Sequence, residues 1–184
     1  TFLKVLDSTD TSVGGGSASA IAGAMAAALV ALVARLSIGK SDENDEPLQR
    51  DVVAEADVLS EELFRGALDD AEAFAAIRAA YRLPKDSDVE RAYRGQMIQE
   101  AILLAASVPL RNAERCRRVL ELCAELEGRS NPNAASDLEC ARHLARAGVR
   151  GAVANVLTNV PSIKDEDAAA ELHTRAIALR EVAA

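Results

Sequence analysis

The chain has 184 residues, 49% of them apolar, and 21 Lys and Arg against 29 Asp and Glu give a net charge of −8. That length and apolar share suit one domain with a sizeable core and exclude a disordered chain. The acidic balance leaves no positive field to displace counterions from phosphate, and with no Trp, two Tyr and three Phe there is little for bases to stack on; nucleic acid is not an expected partner.

Ala, Leu and Val supply most of the apolar content, which reads as all-helical. Residues 1–13 form a short first helix or arm, ending in the turn-prone run from Asp7 to Ser12. Gly14-Gly15-Gly16 then leads into a long apolar helix from about Ser17 to Ile38, with Gly39 just past its end, where a positive φ is wanted. The uncharged run from Val13 to Ala34 has the length of a membrane span, but much of it is Ala, Gly and Ser. Asp7 and Asp10 stand where a signal sequence would be basic. The run is therefore expected to be a helix buried on all sides in a bundle or subunit interface, in a soluble protein with no membrane partner.

A charged loop from Lys40 to Glu46 follows, and Pro47 sits in the first turn of a second helix reaching about Tyr81. Leu83-Pro84-Lys85 stops it. Ser87 and Glu90 are spaced as a capping box, opening a third helix to about Ser107. Pro109 either kinks that helix or starts a fourth, which ends near Gly128. After a polar loop, Ser136 and Glu139 are spaced as a second capping box for a fifth helix to about Leu157. A turn around Pro161 precedes a last helix from about Lys164 to Val182. No repeat or linker divides residues 1–184, so the expected fold is all-α: a single-domain, multihelical up-and-down bundle. Cys116 and Cys123 are seven apart and share a helix face; with Cys140 they make an odd number without metal-ligand spacing, as expected in a reducing cytoplasm.

The strongest local signal is Gly14-Gly15-Gly16-Ser17 entering a helix. Glycines let a ligand approach the backbone, and the free N–H groups favour an anion or an electron-rich oxygen. The alternative is an ordinary helix N-terminus with Ser17 as its cap. Lys40 is a cation just past a helix C-terminus, where the dipole alone would favour it. Asp70 lies amid Ala and Phe and is either an acid or base of raised pKa or a solvated carboxylate; its neighbour Asp69 points elsewhere. Asn155 and Asn159 share one helix face in an apolar context and need partners. Arg142, Arg146 and Arg150 form a stripe that either meets a carboxylated ligand or faces solvent. His143 and His173 have no partner at metal spacing, and no metal is expected.

Taken in order, these pieces resemble the formiminotransferase-cyclodeaminase C-terminal family, which includes bacterial methenyltetrahydrofolate cyclohydrolases. The likeness runs through Gly14-Gly15-Gly16-Ser17, Ser37-Ile38-Gly39-Lys40, Asp70-Ala71-Glu72-Ala73-Phe74 and Leu83-Pro84-Lys85. It continues through Arg91, Gln99, Val108-Pro109-Leu110, Asn133, Ser136-Asp137 and Asn155-Val156 with Asn159. The chain departs from the family pattern at Val13 (usually Pro), at Ser41-Asp42-Glu43 (commonly basic and aromatic) and at Leu68 (usually an acid).

The resemblance implies a cytoplasmic homodimer, joined through helices, with a folate cleft near the subunit interface. It implies a one-carbon enzyme that hydrolyses the amidinium bridge of 5,10-methenyltetrahydrofolate to 10-formyltetrahydrofolate. Formiminotetrahydrofolate cyclodeamination, a diverged amidine or imine substrate, or a catalytically silent scaffold are the alternatives. No cofactor beyond the folate substrate is implied. In this reading Lys40 is a proton shuttle or anion anchor, and Asp70 is the base or the counter-charge to the cationic bridge. Ser136 and Asp137 hold the pterin, the Gly14, Gly15 and Gly16 amides with Ser17 hold an oxygen, and Asn155 and Asn159 position the rings. Lys85 is a further substrate-binding residue, and the Arg142 stripe is the candidate for an anionic polyglutamate tail.

Overall fold

The apolar run after Gly14 becomes the central helix of the molecule. A computed structural model describes residues 2–40 and 42–182; Thr1 and Ser41, on which two of the expectations above touch, lie outside the described residues. The helices are α1 (Phe2–Val5), α2 (Gly15–Ser37), α3 (Glu46–Tyr81), α4 (Asp88–Glu125), α5 (Ala135–Asn159) and α6 (Glu166–Val182), with 3-10 turns at Glu43–Asp45, Pro132–Ala134 and Val160–Ser162. Among the described residues there is no strand, and the expected all-α, multihelical class is what is observed.

α2 packs on α3, α4 and α5 together, which is why its sequence is apolar almost all round. Arg35 pairs with Asp57 and Ser17 with Asp70, so α3 runs antiparallel to α2. Asn112 bonds Gly66 and Arg118 bonds Glu55, so α4 turns back along α3. Gly148 lies against Cys116 and Asn159 against Ala105, so α5 reverses again. The four long helices thus alternate in direction, and Leu63, Leu110, Leu122, Val30, Val149 and Val153 fill the space between them, each contributing roughly 1.5–3 kcal/mol by burial.

Small residues set how closely the helices approach. A Cβ at Gly23 or Gly148 would run into the Cys116 sulfur, which lies at the meeting of α2, α4 and α5. Cys116 and Cys123 are buried, and desolvation pushes their thiols up to about 12 and about 11. They behave as the small apolar residues that their spacing suggested.

Local signals hold at several ends. Gly39 has φ +69, Asp7 and Asp10 accept from the backbone two residues on, and Ser87 and Glu90 form the reciprocal capping box. Arg94 stacks 5.5 Å from the Tyr81 ring centroid and donates to the Tyr81 carbonyl, tying off the end of α3.

Two helix boundaries are settled by tertiary contacts. α4 is one helix of 38 residues that passes through Pro109, so of the two readings of Pro109 the one that starts a fourth helix there does not hold. Pro109 cannot donate to the Ala105 carbonyl, one turn back, and the Asn159 side chain from α5 donates to that carbonyl instead, at 3.1 Å. The second capping box is also absent. Asn131 caps a 3-10 turn at Pro132–Ala134 that feeds directly into α5, so Ser136 lies inside the helix and Glu139 instead engages Arg142 and His143.

Candidate active site

The N-terminus of α2 opens into a pocket of about 210 Å³, lined by Thr11 to Gly16, Asp70, Phe74, Ile77, Ala105, Asn155 and Asn159. Four helices meet here because of the directions just described: the start of α2, the C-terminal third of α3, α4 at Ala105 and the end of α5. Gly14 is extended and precedes the first turn, whose leading N–H groups have no carbonyl partner within the helix.

The Ser17 hydroxyl donates to Asp70 Oδ2 at 2.8 Å, and the Ser17 backbone N–H is bonded to the same carboxylate. Asp70 therefore closes the N-terminus of α2 from the neighbouring helix, a task that the sequence alone assigns to Ser17. Gly16 is what permits this. A Cβ at that position would fall inside the Asp70 carboxylate, and one at Gly15 would sit 3.3 Å from Asn155 Nδ2, whereas a Cβ at Gly14 meets nothing within 4 Å.

Burial pushes the Asp70 carboxyl above its ordinary value, and the two Ser17 hydrogen bonds oppose part of that shift. The consequence revises the anion-binding expectation. The positive end of α2 already faces the protein's own carboxylate, so the pocket floor favours a cation, or a neutral group that needs both donor and acceptor. Asp69 does not line the pocket.

Asn155 Nδ2 donates to Gly151 O at 2.9 Å, and Asn159 Nδ2 donates to Asn155 O at 3.0 Å as well as to Ala105. Both amides are thus held rigidly at the pocket wall, and Asn159 has a structural duty that its spacing could not reveal. Phe74, Ile77 and Ala105 complete the apolar wall. Phe74 is four residues from Asp70, a spacing that places both on one face and would have found it.

Lys40, Ser136 and Asp137 are not in this pocket. Lys40 follows the far end of α2, roughly 33 Å from Gly15 at the helical rise of 1.5 Å per residue. Asn131 Nδ2 donates to Leu36 O, so the start of α5, with Ser136 and Asp137, sits at that same far end. The expected site residues therefore divide into two groups at opposite ends of α2. Lys85 is exposed in the α3–α4 turn, its carbonyl accepting from Arg91, and does not line the pocket. Arg142 is engaged by Glu139 and Glu127, and none of Arg142, Arg146 and Arg150 lines the pocket either. Leu68 is exposed and also outside it, while Asp42 caps the turn at Glu43–Asp45.

The fold is thus an antiparallel, multihelical bundle whose central helix starts at a pocket floored by a half-buried carboxylate and walled by two amides. Over residues 1–178 the sequence matches the formiminotransferase-cyclodeaminase family, and the chain belongs to it. The methenyltetrahydrofolate cyclohydrolase of Methylorubrum extorquens is 41% identical over 172 residues, covering 93% of this chain and 83% of that protein. The formimidoyltransferase-cyclodeaminase of Mus musculus is 32% identical over 184 residues, covering 99% of this chain but only 34% of that longer protein. The crystal structure of formiminotetrahydrofolate cyclodeaminase from Thermotoga maritima superimposes with a TM-score of 0.77 at 28% identity, over 97% of this chain and 89% of that one.

Proposed function

We propose that the chain hydrolyses the amidinium bridge of 5,10-methenyltetrahydrofolate to give 10-formyltetrahydrofolate. The observation that carries this reading is Asp70, a half-buried carboxylate of raised pKa at the floor of the one pocket where Gly14 to Gly16, Asn155 and Asn159 converge. The 41% identity to a protein named for this reaction supports it. The bridge carries a positive charge between N5 and N10, and Asp70 is the counter-charge. A water attacks the bridge carbon while Asp70 takes one of its protons. As the carbon–N5 bond breaks, Asp70 returns that proton to N5. The carbon keeps its bond to N10 as a formyl group, and the second proton of the water leaves to solvent. One carboxylate whose pKa lies closer to neutrality serves both steps. Cyclodeamination, with ammonia as leaving group, is the second reading, favoured by the fold shared with the Thermotoga protein.

The same proposal includes a homodimer. Along α2, Ala18, Ala22, Met25, Leu29, Leu32 and Leu36 alternate at spacings of four and three, so they form one apolar stripe. Met25 is 48%, Leu32 42% and Leu36 46% exposed, and Phe64 adjoins Met25 on α3. Residue 27 is the midpoint of this stripe and lies thirteen positions from both residue 14 and residue 40. Two α2 helices paired antiparallel about a two-fold axis there bring Lys40 of the partner subunit to the Gly14 loop. The two separated groups of site residues then belong to one cleft.

The test follows the near-UV absorbance of 5,10-methenyltetrahydrofolate with the purified protein and with Asp70→Asn. Loss of the band faster than in buffer, absent in the variant, is the expected result. A wild-type rate equal to buffer would overturn the reading, and ammonia release from 5-formiminotetrahydrofolate would favour the second.

A further inference from the structure

The pocket at Asp70 answers the pterin end of a tetrahydrofolate. The other end of that molecule is a p-aminobenzoyl ring carrying glutamyl carboxylates, and in a chain of net charge −8 those anions need local cations. A second concavity, of about 190 Å³, lies beside the first and shares Ser12 and Phe74 with it. Arg78 and Arg82 stand in its wall.

Among the described residues, several arginines, including Arg115, Arg118 and Arg175, are paired with carboxylates, and others, such as Arg65 and Arg111, are not. What sets Arg78 and Arg82 apart is their place: without a carboxylate partner among the described residues, they line the concavity beside the pocket. They are four apart at the C-terminal end of α3, hence neighbours on one face. The Arg78 guanidinium carbon lies 5.8 Å from the centroid of the Phe74 ring, so one side of Phe74 meets the pocket and a cation covers the ring near the second concavity. The negative end of the α3 dipole favours a cation here, but it does not explain two of them left unpaired beside a pocket.

We propose that Arg78 and Arg82 are the subsite for the glutamyl carboxylates of the substrate, with the p-aminobenzoyl ring resting on Phe74. This rests on the folate reading of the pocket. A guanidinium presents paired donors that match a carboxylate in two parallel hydrogen bonds. The α- and γ-carboxylates of one glutamate meet the two arginines in turn. Lys85, three residues beyond Arg82 in the exposed α3–α4 turn, continues the basic track outward for a second glutamyl unit. That gives Lys85 a substrate contact at the far end of the ligand, away from the reacting bridge.

The experiment compares steady-state turnover of monoglutamyl and triglutamyl 5,10-methenyltetrahydrofolate by the wild type, an Arg78→Gln/Arg82→Gln variant and an Arg180→Gln control on α6. The expected result is a KM raised roughly tenfold or more in the double variant, with kcat little changed. The wild-type preference for the triglutamate is lost, and the control behaves as wild type. Both arginines are exposed, so the helical circular dichroism of the double variant should match the wild type. Wild-type turnover with a KM that the double substitution leaves untouched would overturn the tail subsite alone. Absence of turnover and of folate binding in the wild type would overturn the folate reading and this inference with it.

Discussion

The Ser17 hydroxyl and Asp70 Oδ2 are 2.8 Å apart, joining the first turn of α2 to the C-terminal third of α3. This contact fixes the one carboxylate among the described residues that line the pocket at the positive end of a helix, and burial still holds its pKa above the ordinary value. A raised pKa makes the carboxylate a stronger base than a surface one and keeps a larger share of it protonated at a given pH, which is what the proposed two-step proton transfer needs.

Asp70→Asn should lower turnover by roughly 10²–10⁴-fold, the usual span for removing an acid–base group. The acid limb of the wild-type kcat/KM profile should fall above the ordinary carboxylate pKa. The stability effect has the opposite sign to the activity effect. A carboxyl whose folded pKa is raised favours the fold when protonated, and that contribution is lost as pH rises through the folded pKa. Asn keeps an acceptor for Ser17 without the buried charge, so the melting temperature at pH 7 should be unchanged or higher. A clear fall would contradict the account of the pKa shift.

Gly16→Ala should cost stability and activity together. Its Cβ would overlap the Asp70 carboxylate, and a forced displacement of this kind costs about 1–3 kcal/mol. Gly14→Ala meets no atom within 4 Å and should leave the melting temperature close to that of the wild type. Thermal unfolding of the two variants side by side separates a steric need at one glycine from a general need for flexibility.

Subunit complementation tests the shared cleft. Lys40→Ala and Asp70→Asn should each be nearly inactive alone. Random mixing of the two makes half of the dimers hybrid, and each hybrid has one cleft with both residues intact, so about a quarter of wild-type activity should return. Leu32→Glu places a charge in the middle of the α2 stripe and should give a monomer by sedimentation velocity, with turnover lost. Hybrids that stay inactive would mean that Lys40 acts elsewhere.

Asn159→Ala removes the donor that serves the carbonyl beneath Pro109, leaving it unsatisfied at a cost of about 1–3 kcal/mol. Pro109→Ala restores a backbone N–H to the same carbonyl. In that background the Asn159 substitution should cost much less, and chemical denaturation of the four proteins in the cycle measures the difference.

Much of the architecture was legible in the chain. The helix ends at Gly39 and Ser87, the apolar burial of α2 and the packing role of Cys116 follow from interactions within a few residues or from composition. Asp70, Gly14 to Gly16, Asn155 and Asn159 could be picked out as candidates, and they do converge. The spacing of Asp70, Phe74 and Arg78 on α3 and of Arg82 just past its end, each four apart, was also present in the sequence. It reads as an ordinary amphipathic run until the pocket gives that face a neighbour.

What the chain could not disclose depends on which helix ends meet. Pro109 reads as a kink or a new helix start because the helix itself offers no substitute donor; Asn159, 54 positions from Ala105, supplies one only when α5 lies along α4. Ser17 reads as its own helix cap until α3 delivers Asp70. Lys40 and Asp70 read as one site because sequence order carries no direction, yet a rigid helix of 23 residues holds them apart within one chain. Sequence determined the helices and their faces, since periodicity and caps act over one or two turns. Tertiary structure alone decided which carboxylate meets which helix end, since that depends on the direction in which each helix runs past its neighbour.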